Sequence, residues 1–308
     1  MGKTKYINYI MKRVFVICNG ESRKGIDLEQ FKQYGKVYGC NAIYRDFTPD
    51  ALIAVDDRMV HHIYWSGYPL QNQCYFRDWN RMPADAYEML LQPEMVCDDG
   101  SFTPDMIYSN ERGDKKEFVL HGVHKNRMKD AEKVTREQDK ENVLTQDVYD
   151  VLFVNPGFYI TWVEEEDKVT GTDFLPGGTD YGLSGGPLAH LISIIVEEPD
   201  EIYFIGMDLY SNNANEGDLR VNNVYKGTTG YIGVGGNEVP PDDWILQHKT
   251  IMHKFTEVKH FKVNIKPLSD PLEDRVNRVI PEWNDTPNLE YLTYAEMIGK
   301  LANQGEIT

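Results

Sequence analysis

Polar residues that directly follow short apolar runs are the strongest candidates for chemistry in this chain. Asn19 and Gly20 follow the first run, Asn41 follows the second, and residues 206–210, Gly-Met-Asp-Leu-Tyr, follow a late one. If these runs are parallel strands of one open sheet, their ends meet at the edge where such sheets bind ligands. The Asn19 and Asn41 amides would then hydrogen-bond a base or a ribose, and Gly20 would allow close backbone approach.

The same residues have a second interpretation, which the sequence leaves open. Asn and Gly favour any tight turn at the end of a strand, with or without a ligand. The loop from Gly20 to Gly25 lacks the G-x-G-x-x-G spacing of a dinucleotide site, which disfavours a nicotinamide cofactor. The chain also has no G-x-S-x-G, H-E-x-x-H or G-x-x-x-x-G-K-S/T pattern, which removes the common hydrolase, metalloprotease and P-loop classes.

Acidic and histidine pairs are the candidate metal ligands. Asp56 and Asp57 follow the third apolar run, and a pair there could hold a divalent cation that neutralises a nucleotide diphosphate. Alternatively, one Asp caps the next helix and the other is exposed, which the adjacent spacing favours over a D-x-D pair. The histidine pairs 61–62 and 121–124 lack further ligands nearby in sequence, and we expect them to be exposed to solvent.

Strand and helix patterns alternate in the first sixty residues and again in the last third, which predicts a mostly parallel, Rossmann-like α/β sheet flanked by helices. Continuous apolar runs predict strands that are covered on both faces. A helix is expected to begin after Ser184, and a second one, capped by Asp242 or Asp243, to run to about Val258. The predicted strands are Val14–Cys18, Val37–Cys40, Leu52–Val55, Glu201–Ile205 and, as the last one, His260–Ile265.

The domain organisation predicted from these patterns is one Rossmann-like domain over residues 11–270. Residues 1–10 are expected to form a disordered extension, and an irregular insertion is expected over about 68–148. The Gly- and Asn-rich segment 211–241 has no periodicity and has the length of an active-site lid. Residues 271–308 are expected to form a helical tail that packs on the domain.

Composition limits the partners. Asp and Glu total 49 against 32 Lys and Arg, so the net charge is −17 and binding to bulk nucleic acid is disfavoured. No apolar run reaches the ~18 residues of a membrane span, and no secretory signal pattern begins at Met1. Cys18 and Cys40 lie in strand-like contexts without C-x-x-C spacing, so we expect buried free thiols and a reducing, cytoplasmic compartment.

Two islands of sequence carry a pattern that the single motifs lack. The first is VFVICNGESRKGIDL followed by YGCNAIY, and the second combines the helix start at Ser184 and Gly185 with EIYFIGMDLY. They resemble bacterial sialyltransferases of glycosyltransferase family 42, with their N-G-x-S loop, later C-N-x-x-Y, and E-I-Y-x-x-G-I-D-F-Y segment. The resemblance covers about a quarter of the chain. It implies a single Rossmann-like domain that uses a cytidine monophosphate sugar and requires no metal.

The resemblance also implies roles for the matched residues. Asn19, Gly20 and Ser22 would touch the nucleotide or its phosphate, and Asn41 would hold the sugar or the ribose. Tyr210 would donate a hydrogen bond to the departing phosphate, where negative charge grows in the transition state. Further substrate-binding candidates are Ser184, Gly185, Gly206 and Asp208.

The chain departs from the family pattern at the general base. The family has a histidine just before a Y-I-G segment, whereas Gly230 precedes Tyr231 here. His248 is the nearest replacement, because an imidazole suits removal of a proton from an acceptor hydroxyl. A packing or surface role for this histidine is the alternative. Tyr225 is the candidate for the second phosphate-binding tyrosine of the family.

The resemblance thus implies a glycosyltransferase that moves a sugar from a nucleotide-sugar co-substrate to a hydroxyl acceptor. Such sequences also resemble phage-encoded proteins of the host cytoplasm, whose acceptors would include glycans, proteins or hydroxymethylated DNA bases. Two alternatives stay open: a non-catalytic interaction or virion-associated protein with a nucleotide fold, and a metal-dependent nucleotide-diphosphate-sugar transferase that uses Asp56 and Asp57. Homo-oligomerisation is also left open.

Overall fold

An eight-stranded sheet, parallel throughout, forms the centre of the protein. The structure is a computed structural model that describes residues 11–56, 59–60, 62–63, 66, 68–77, 81–83, 117–119, 160–163, 183–211, 221–229, 231 and 233–305. The strands are β1 (Arg13–Ile17), β2 (Lys36–Cys40), β3 (Ala51–Ala54), β4 (Cys74–Arg77), β5 (Arg81–Pro83), β6 (Glu117–Val119), β7 (Ile160–Val163), β8 (Glu201–Ile205), β9 (Lys259–Asn264) and β10 (Leu289–Thr293). Along the sheet their order is β10-β9-β8-β1-β2-β3-β4-β7, while β5 and β6 form a separate antiparallel pair.

Strand alternation divides the core into two layers. Phe15 and Ile17 of β1 face one layer, and Val14 and Val16 face the other, because successive side chains of a strand point to opposite faces. The first layer is covered by α3 (Tyr294–Gly305) and by short 3-10 turns, and the second by α1 (Gly185–Glu197) and α2 (Asp242–Lys254). The predicted Rossmann-like α/β class is therefore confirmed.

The chain reverses its direction of travel across the sheet at β1. From β1 it proceeds through β2, β3, β4 and β7 to one edge, then returns to place β8, β9 and β10 on the other side of β1. The carboxyl ends of β1 and β8 consequently carry connections that diverge. Such a topological switch point leaves a crevice between the two loops, and open α/β sheets bind ligands there.

The C-terminal part of the chain differs from the sequence prediction. β9 is followed by another strand, β10, which pairs with it in parallel and forms one edge of the sheet. The region expected to be a helical tail thus contributes a strand as well as α3. Helix α2 begins after Pro241, with no side-chain cap from Asp242 or Asp243, and ends at Lys254 instead of Val258.

The middle of the chain also required correction. β4 lies within the stretch assigned to an insertion, yet it pairs with β3 and β7 in the main sheet, so only residues after β4 can form an insertion. Cys18, Cys40 and Cys74 are free, and Cys18 is partly exposed. No helix in the described ranges has the length and apolar content needed to cross a membrane. Residues 1–10, Asp57, His61, Cys97, His121 and His124 lie outside the described residues.

Candidate functional site

A cavity of about 400 Å³ lies at the switch point, and we call it the central cavity. Its walls come from the loops after β1, β2 and β8, from the N-terminus of α1, and from the lid segment, residues 211–241. Most of the predicted site residues line it: Asn19, Gly20, Asn41, Ser184, Gly185, Gly206, Asp208, Tyr210 and His248. Asp56 lines it too, whereas Ser22 and Tyr225 do not appear in its wall.

Two glycines hold the loops after β1 and β8 together at the floor of the cavity. The N–H of Gly20 donates to the carbonyl of Gly206 over 2.9 Å. A Cβ at Gly20 would lie 2.3 Å from Cγ of Asp208, and Gly206 has a φ of +69°, which side chains disfavour. Gly20 is thus required for close approach of protein backbone, whereas the sequence suggested close approach to a ligand.

The Asn19 side chain joins the ends of β1 and β2. It is 6% exposed, and its Nδ2 donates to the carbonyl of Cys40 over 2.9 Å. The carbonyl of Asn19 accepts a hydrogen bond from the N–H of Val224 in the lid segment, also at 2.9 Å. This amide is therefore committed to protein contacts, which makes Asn19 a support for the cavity wall.

Asn41 is held in a conformation that leaves part of its side chain unpaired. It follows β2 with a φ of +54°, in the left-handed region that Asn tolerates better than most residues. Its Oδ1 is buried and accepts no hydrogen bond. A Cβ on Gly185 would lie 3.4 Å from Nδ2 of Asn41, so the amide sits against the first turn of α1.

The N-terminus of α1 opens into the central cavity. Ser184 is its N-cap residue, but the hydroxyl makes no capping hydrogen bond, and the first turn contains no acidic residue. The N–H of Ser184 donates to Oε1 of Gln247 over 3.0 Å. The unpaired N–H groups and the positive end of a 13-residue helix favour an anion at this point.

Asp208 and Ser22 form a buried hydrogen-bonded pair beneath the loops. Asp208 is 5% exposed and accepts hydrogen bonds from the N–H of Ser22 over 2.9 Å and from its hydroxyl. Burial raises the pKa of the Asp208 carboxyl, and the bonds from Ser22 oppose that rise. The donors of Ser22 are used inside the protein, so the structure gives this serine a loop-positioning role.

Tyr210 is placed in the cavity wall by an irregular turn after β8. Leu209 has a φ of +61°, and the N–H of Tyr210 donates to the carbonyl of Asp208 over 2.7 Å. Asn222 of the lid segment donates from Nδ2 to the carbonyl of Tyr210 over 2.8 Å. The lid segment is thereby fastened to the loop that carries the tyrosine.

The lid segment supplies one tyrosine to the cavity, although a different one than expected. Tyr225 donates its hydroxyl proton to Asp46 and accepts from Nη2 of Arg23 over 2.6 Å, away from the cavity wall. Tyr231 lines the cavity, and its hydroxyl accepts from Nδ2 of Asn223 over 3.2 Å. The Tyr-Ile-Gly motif is the sequence signal for Tyr231, the same motif that marks the position of the missing histidine.

His248 belongs to a cluster of three buried histidines. It is 2% exposed, its Nδ1 shares a hydrogen bond of 3.1 Å with Nδ1 of His190, and His260 stacks edge-on against His190. Nε2 of His248 lies 3.8 Å from the position that a Cβ would take on Gly186, at the cavity wall. Burial, with a smaller contribution from the charge of His260, lowers its pKa to about 3. It is therefore neutral at pH 7, as a general base must be, but it holds a proton weakly.

The histidine cluster predicts that acid destabilises the fold. Burial lowers the pKa of His260 to about 3 and also lowers that of His190. Unfolding exposes these imidazoles, which then take up protons below about pH 6.5, so the free energy of unfolding falls as the pH drops from 6.5 toward 3. We expect a loss of about 2 kcal/mol per imidazole at pH 5.

Urea unfolding at pH 7 and pH 5 measures this loss. His248→Gln is expected to reduce the difference in unfolding free energy between the two pH values by the contribution of one imidazole. His253→Gln, at the exposed end of α2, is the control and is expected to leave the difference unchanged. Equal stability of the unmodified protein at the two pH values would contradict the prediction.

Of the two aspartates proposed as metal ligands, only Asp56 lies within the described residues. Asp56 is exposed at the cavity wall, and its carbonyl accepts from the N–H of Val60, as expected at the start of a helix. Within the described ranges, no three His, Cys, Asp or Glu side chains come together in a way that could hold a metal ion. His62, expected to be exposed, is buried.

Comparisons with known proteins give one structural likeness. No family model matches the chain, and no curated protein is similar to it in sequence. The crystal structure of the monofunctional alpha-2,3-sialyltransferase Cst-I from Campylobacter jejuni is similar to it over the full length of both chains, with 12% identity and a TM-score of 0.36. A likeness of that size does not establish a family.

Proposed function

We propose that the protein is a glycosyltransferase that binds a nucleotide-sugar donor in the central cavity. The observation that carries this proposal is the unpaired, buried Oδ1 of Asn41, held by a left-handed backbone next to the N-terminus of α1. A buried acceptor without a partner costs about 1–3 kcal/mol, and a ligand N–H or hydroxyl would recover that energy. A hydrogen-bond acceptor beside an anion site suits a nucleoside monophosphate.

The donor would lie across the switch point. In this proposal Asn41 accepts from the base or a ribose hydroxyl, and the Ser184 hydroxyl with the N–H of Gly185 contacts the phosphate. The two motif islands of the sequence meet at this crevice, one in the loops after β1 and β2 and the other in the loop after β8 and the start of α1. Their resemblance to sialyltransferases favours cytidine monophosphate as the nucleotide.

The transfer step needs a hydrogen-bond donor that stabilises the leaving phosphate and a general base that takes the proton of the attacking hydroxyl. The acceptor hydroxyl attacks the anomeric carbon, the bond from that carbon to the phosphate oxygen breaks, and the nucleoside monophosphate departs. Tyr210 would hydrogen-bond the departing phosphate, and Nε2 of His248 would take the hydroxyl proton. In this scheme the phenol and the helix N-terminus stabilise the phosphate, and no metal is required.

Nucleotide binding tests the proposal most directly. Thermal unfolding is measured with cytidine, uridine, guanosine and adenosine mono- and diphosphates, each with and without manganese. A ligand at 100 times its Kd stabilises the protein by about 2.7 kcal/mol, which shifts the Tm of a chain this long by about 4 °C. We expect that shift with cytidine monophosphate in the absence of metal.

Asn41→Gly is the matched variant, because Gly adopts a positive φ freely and only the amide is lost. We expect it to weaken cytidine monophosphate binding by about 10- to 100-fold while the Tm without ligand changes little. A Tm shift that appears only with a diphosphate and manganese would favour the metal-dependent alternative, with Asp56 as a ligand of the metal. Absence of a shift with every nucleotide would overturn the glycosyltransferase assignment.

Binding without turnover is the outcome that would favour a non-catalytic nucleotide-binding protein. Two observations favour the non-catalytic alternative. The lowered pKa of His248 makes it a weak proton acceptor. Gly230 stands where the sialyltransferase family has its histidine. An assay of cytidine monophosphate sugar hydrolysis, in which release of the free nucleotide is monitored, separates the two outcomes. Any catalysed release above the spontaneous rate supports an enzyme.

A further inference from the structure

A guanidinium group lies on the ring of the cavity tyrosine. Cζ of Arg278 is 4.2 Å from the centroid of the Tyr210 ring, within the range of a cation–π contact. Its Nε is buried and has no hydrogen-bond partner. Within the residues that the structure describes, no carboxylate lies within ion-pairing distance of this guanidinium. The charge of Arg278 therefore lies against a tyrosine ring that lines the central cavity, and no carboxylate among the described residues balances it.

A second arginine, Arg275, contacts the same ring, but its charge is neutralised by a carboxylate. Cζ of Arg275 lies 5.0 Å from the Tyr210 centroid, but both terminal nitrogens contact the carboxylate of Glu238 at 3.1 Å. Nη1 of Arg275 also donates to the carbonyl of Ser211 over 3.0 Å. Arg275 fastens the lid segment to the C-terminal region, and its charge is neutralised in doing so.

Lys262 of β9 is a second, buried cation, and the charge of Asp208 in the loop after β8 acts on it. It is 1% exposed, and its Nζ donates to Oδ1 of Asn264 over 2.5 Å and to the carbonyl of Val276 over 3.2 Å. Burial and the charge of Arg278 lower its pKa, the carboxylates of Asp208 and Asp274 oppose this, and the net result is a pKa of about 8. The two cations are close enough to repel each other, so an anion bound next to them would relieve that repulsion.

We propose that Arg278 is the phosphate-binding cation of the donor site, held in place by stacking on Tyr210. This inference rests on the proposed function, since the phosphate would be that of the nucleotide donor. The planar guanidinium presents several N–H donors in a fixed fork that matches phosphate oxygens. Tyr225, expected to be the second phosphate ligand, is bonded to Arg23 and Asp46, and Arg278 takes over that function from the C-terminal region.

The assignment makes the C-terminal region part of the site. Arg278 lies between β9 and β10, in the stretch that the sequence presented as a packing tail. In a chain of net charge −17, an unbalanced arginine beside a cavity also attracts an anionic donor against the overall field of the protein. A sugar carboxylate is the other anion that the same guanidinium could bind, and the test below separates the two.

The experiment compares the affinities of cytidine monophosphate and cytidine by isothermal titration calorimetry. We expect the unmodified protein to bind the monophosphate at least 10-fold more tightly than cytidine, and Arg278→Gln to reduce that ratio about 10-fold while cytidine affinity stays the same. Unchanged cytidine affinity shows that the variant is folded. Arg278→Lys, which keeps the charge but loses the fork, is expected to recover part of the ratio. Lys266→Gln removes an exposed charge from the same region and serves as the control.

Each outcome bears on one proposal or both. A full monophosphate-to-cytidine ratio in Arg278→Gln overturns the role of Arg278 and leaves the proposed function intact. Weaker binding of free N-acetylneuraminic acid with an unchanged ratio also overturns it and assigns the guanidinium to the sugar carboxylate. If the protein binds inorganic phosphate through Arg278 but binds no nucleoside or nucleotide, the anion site stands and the proposed function falls. Absence of binding to all these probes overturns both.

Discussion

Replacing Tyr210 with Phe is expected to lower kcat for sugar transfer by about 10²- to 10³-fold and to change KM for the donor little. A fixed hydrogen-bond donor at a leaving oxyanion contributes about 3 kcal/mol, chiefly in the transition state, where the charge on the phosphate grows. Phe keeps the ring on which Arg278 and Arg275 stack, so the C-terminal contacts and the lid segment stay in place. The loss therefore reports the hydroxyl alone.

Initial rates of nucleotide release from a cytidine monophosphate sugar measure this effect. Tyr294→Phe is the matched control, because its hydroxyl accepts a hydrogen bond from Gln30 and neither residue lines the central cavity. We expect kcat in this control to equal that of the unmodified protein. A Tyr210→Phe enzyme with normal kcat would show that the phenol does not assist departure of the phosphate. A loss that appears entirely in KM would assign the hydroxyl to ground-state binding.

Replacing Gly20 with Ala is expected to disrupt the central cavity and with it the proposed donor site. A Cβ there would lie 2.3 Å from Cγ of Asp208 and 2.5 Å from the carbonyl oxygen of Gly206, distances that force the loops after β1 and β8 apart. The backbone of Gly20 has a φ of −63° and a ψ of 150°, which any residue can adopt, so the effect is steric. We expect a loss of about 1–3 kcal/mol in the free energy of unfolding and at least 100-fold weaker nucleotide binding.

Denaturant unfolding and nucleotide titration measure the two parts of this prediction. Gly299→Ala is the control: Gly299 is exposed on α3, and a Cβ there meets no atom within 4 Å. Removal of a helical glycine is expected to raise stability by about 0.5–1 kcal/mol without any effect on binding. Wild-type affinity in Gly20→Ala would mean that the loops after β1 and β8 do not shape the donor site.

The central strands and the location of the central cavity could be predicted from local sequence. The apolar runs that became β1, β2, β3 and β8 were long enough to identify, and α1 begins where Ser184 and its glycines predicted. Parallel strands have all their carboxyl ends at one edge, so Asn19, Asn41 and Tyr210 were correctly expected to meet. β10 was missed because its residues are mostly half-buried and alternate weakly, as an edge strand allows.

The partners of individual site residues depended on the tertiary structure. Tyr225 was a reasonable phosphate ligand until packing placed its hydroxyl between Arg23 and Asp46, residues about 180 to 200 positions earlier in the chain. The pairing of His248 with His190, and of Tyr210 with Arg278, likewise joins separate elements. No local spacing encodes such contacts.

The sequence by itself determined the central strands, helices α1 and α2, and the edge of the sheet at which polar residues collect. Hydrophobic periodicity acts over a few residues, so it can be read from the chain directly. The tertiary structure alone decided which polar atoms in and around the central cavity remain unpaired: the side chains of Asn19 and Ser22 are hydrogen-bonded to neighbouring loops, while Oδ1 of Asn41 and Nε of Arg278 have no partner. Whether a polar atom is satisfied depends on every element packed around it, and those elements come from distant parts of the chain.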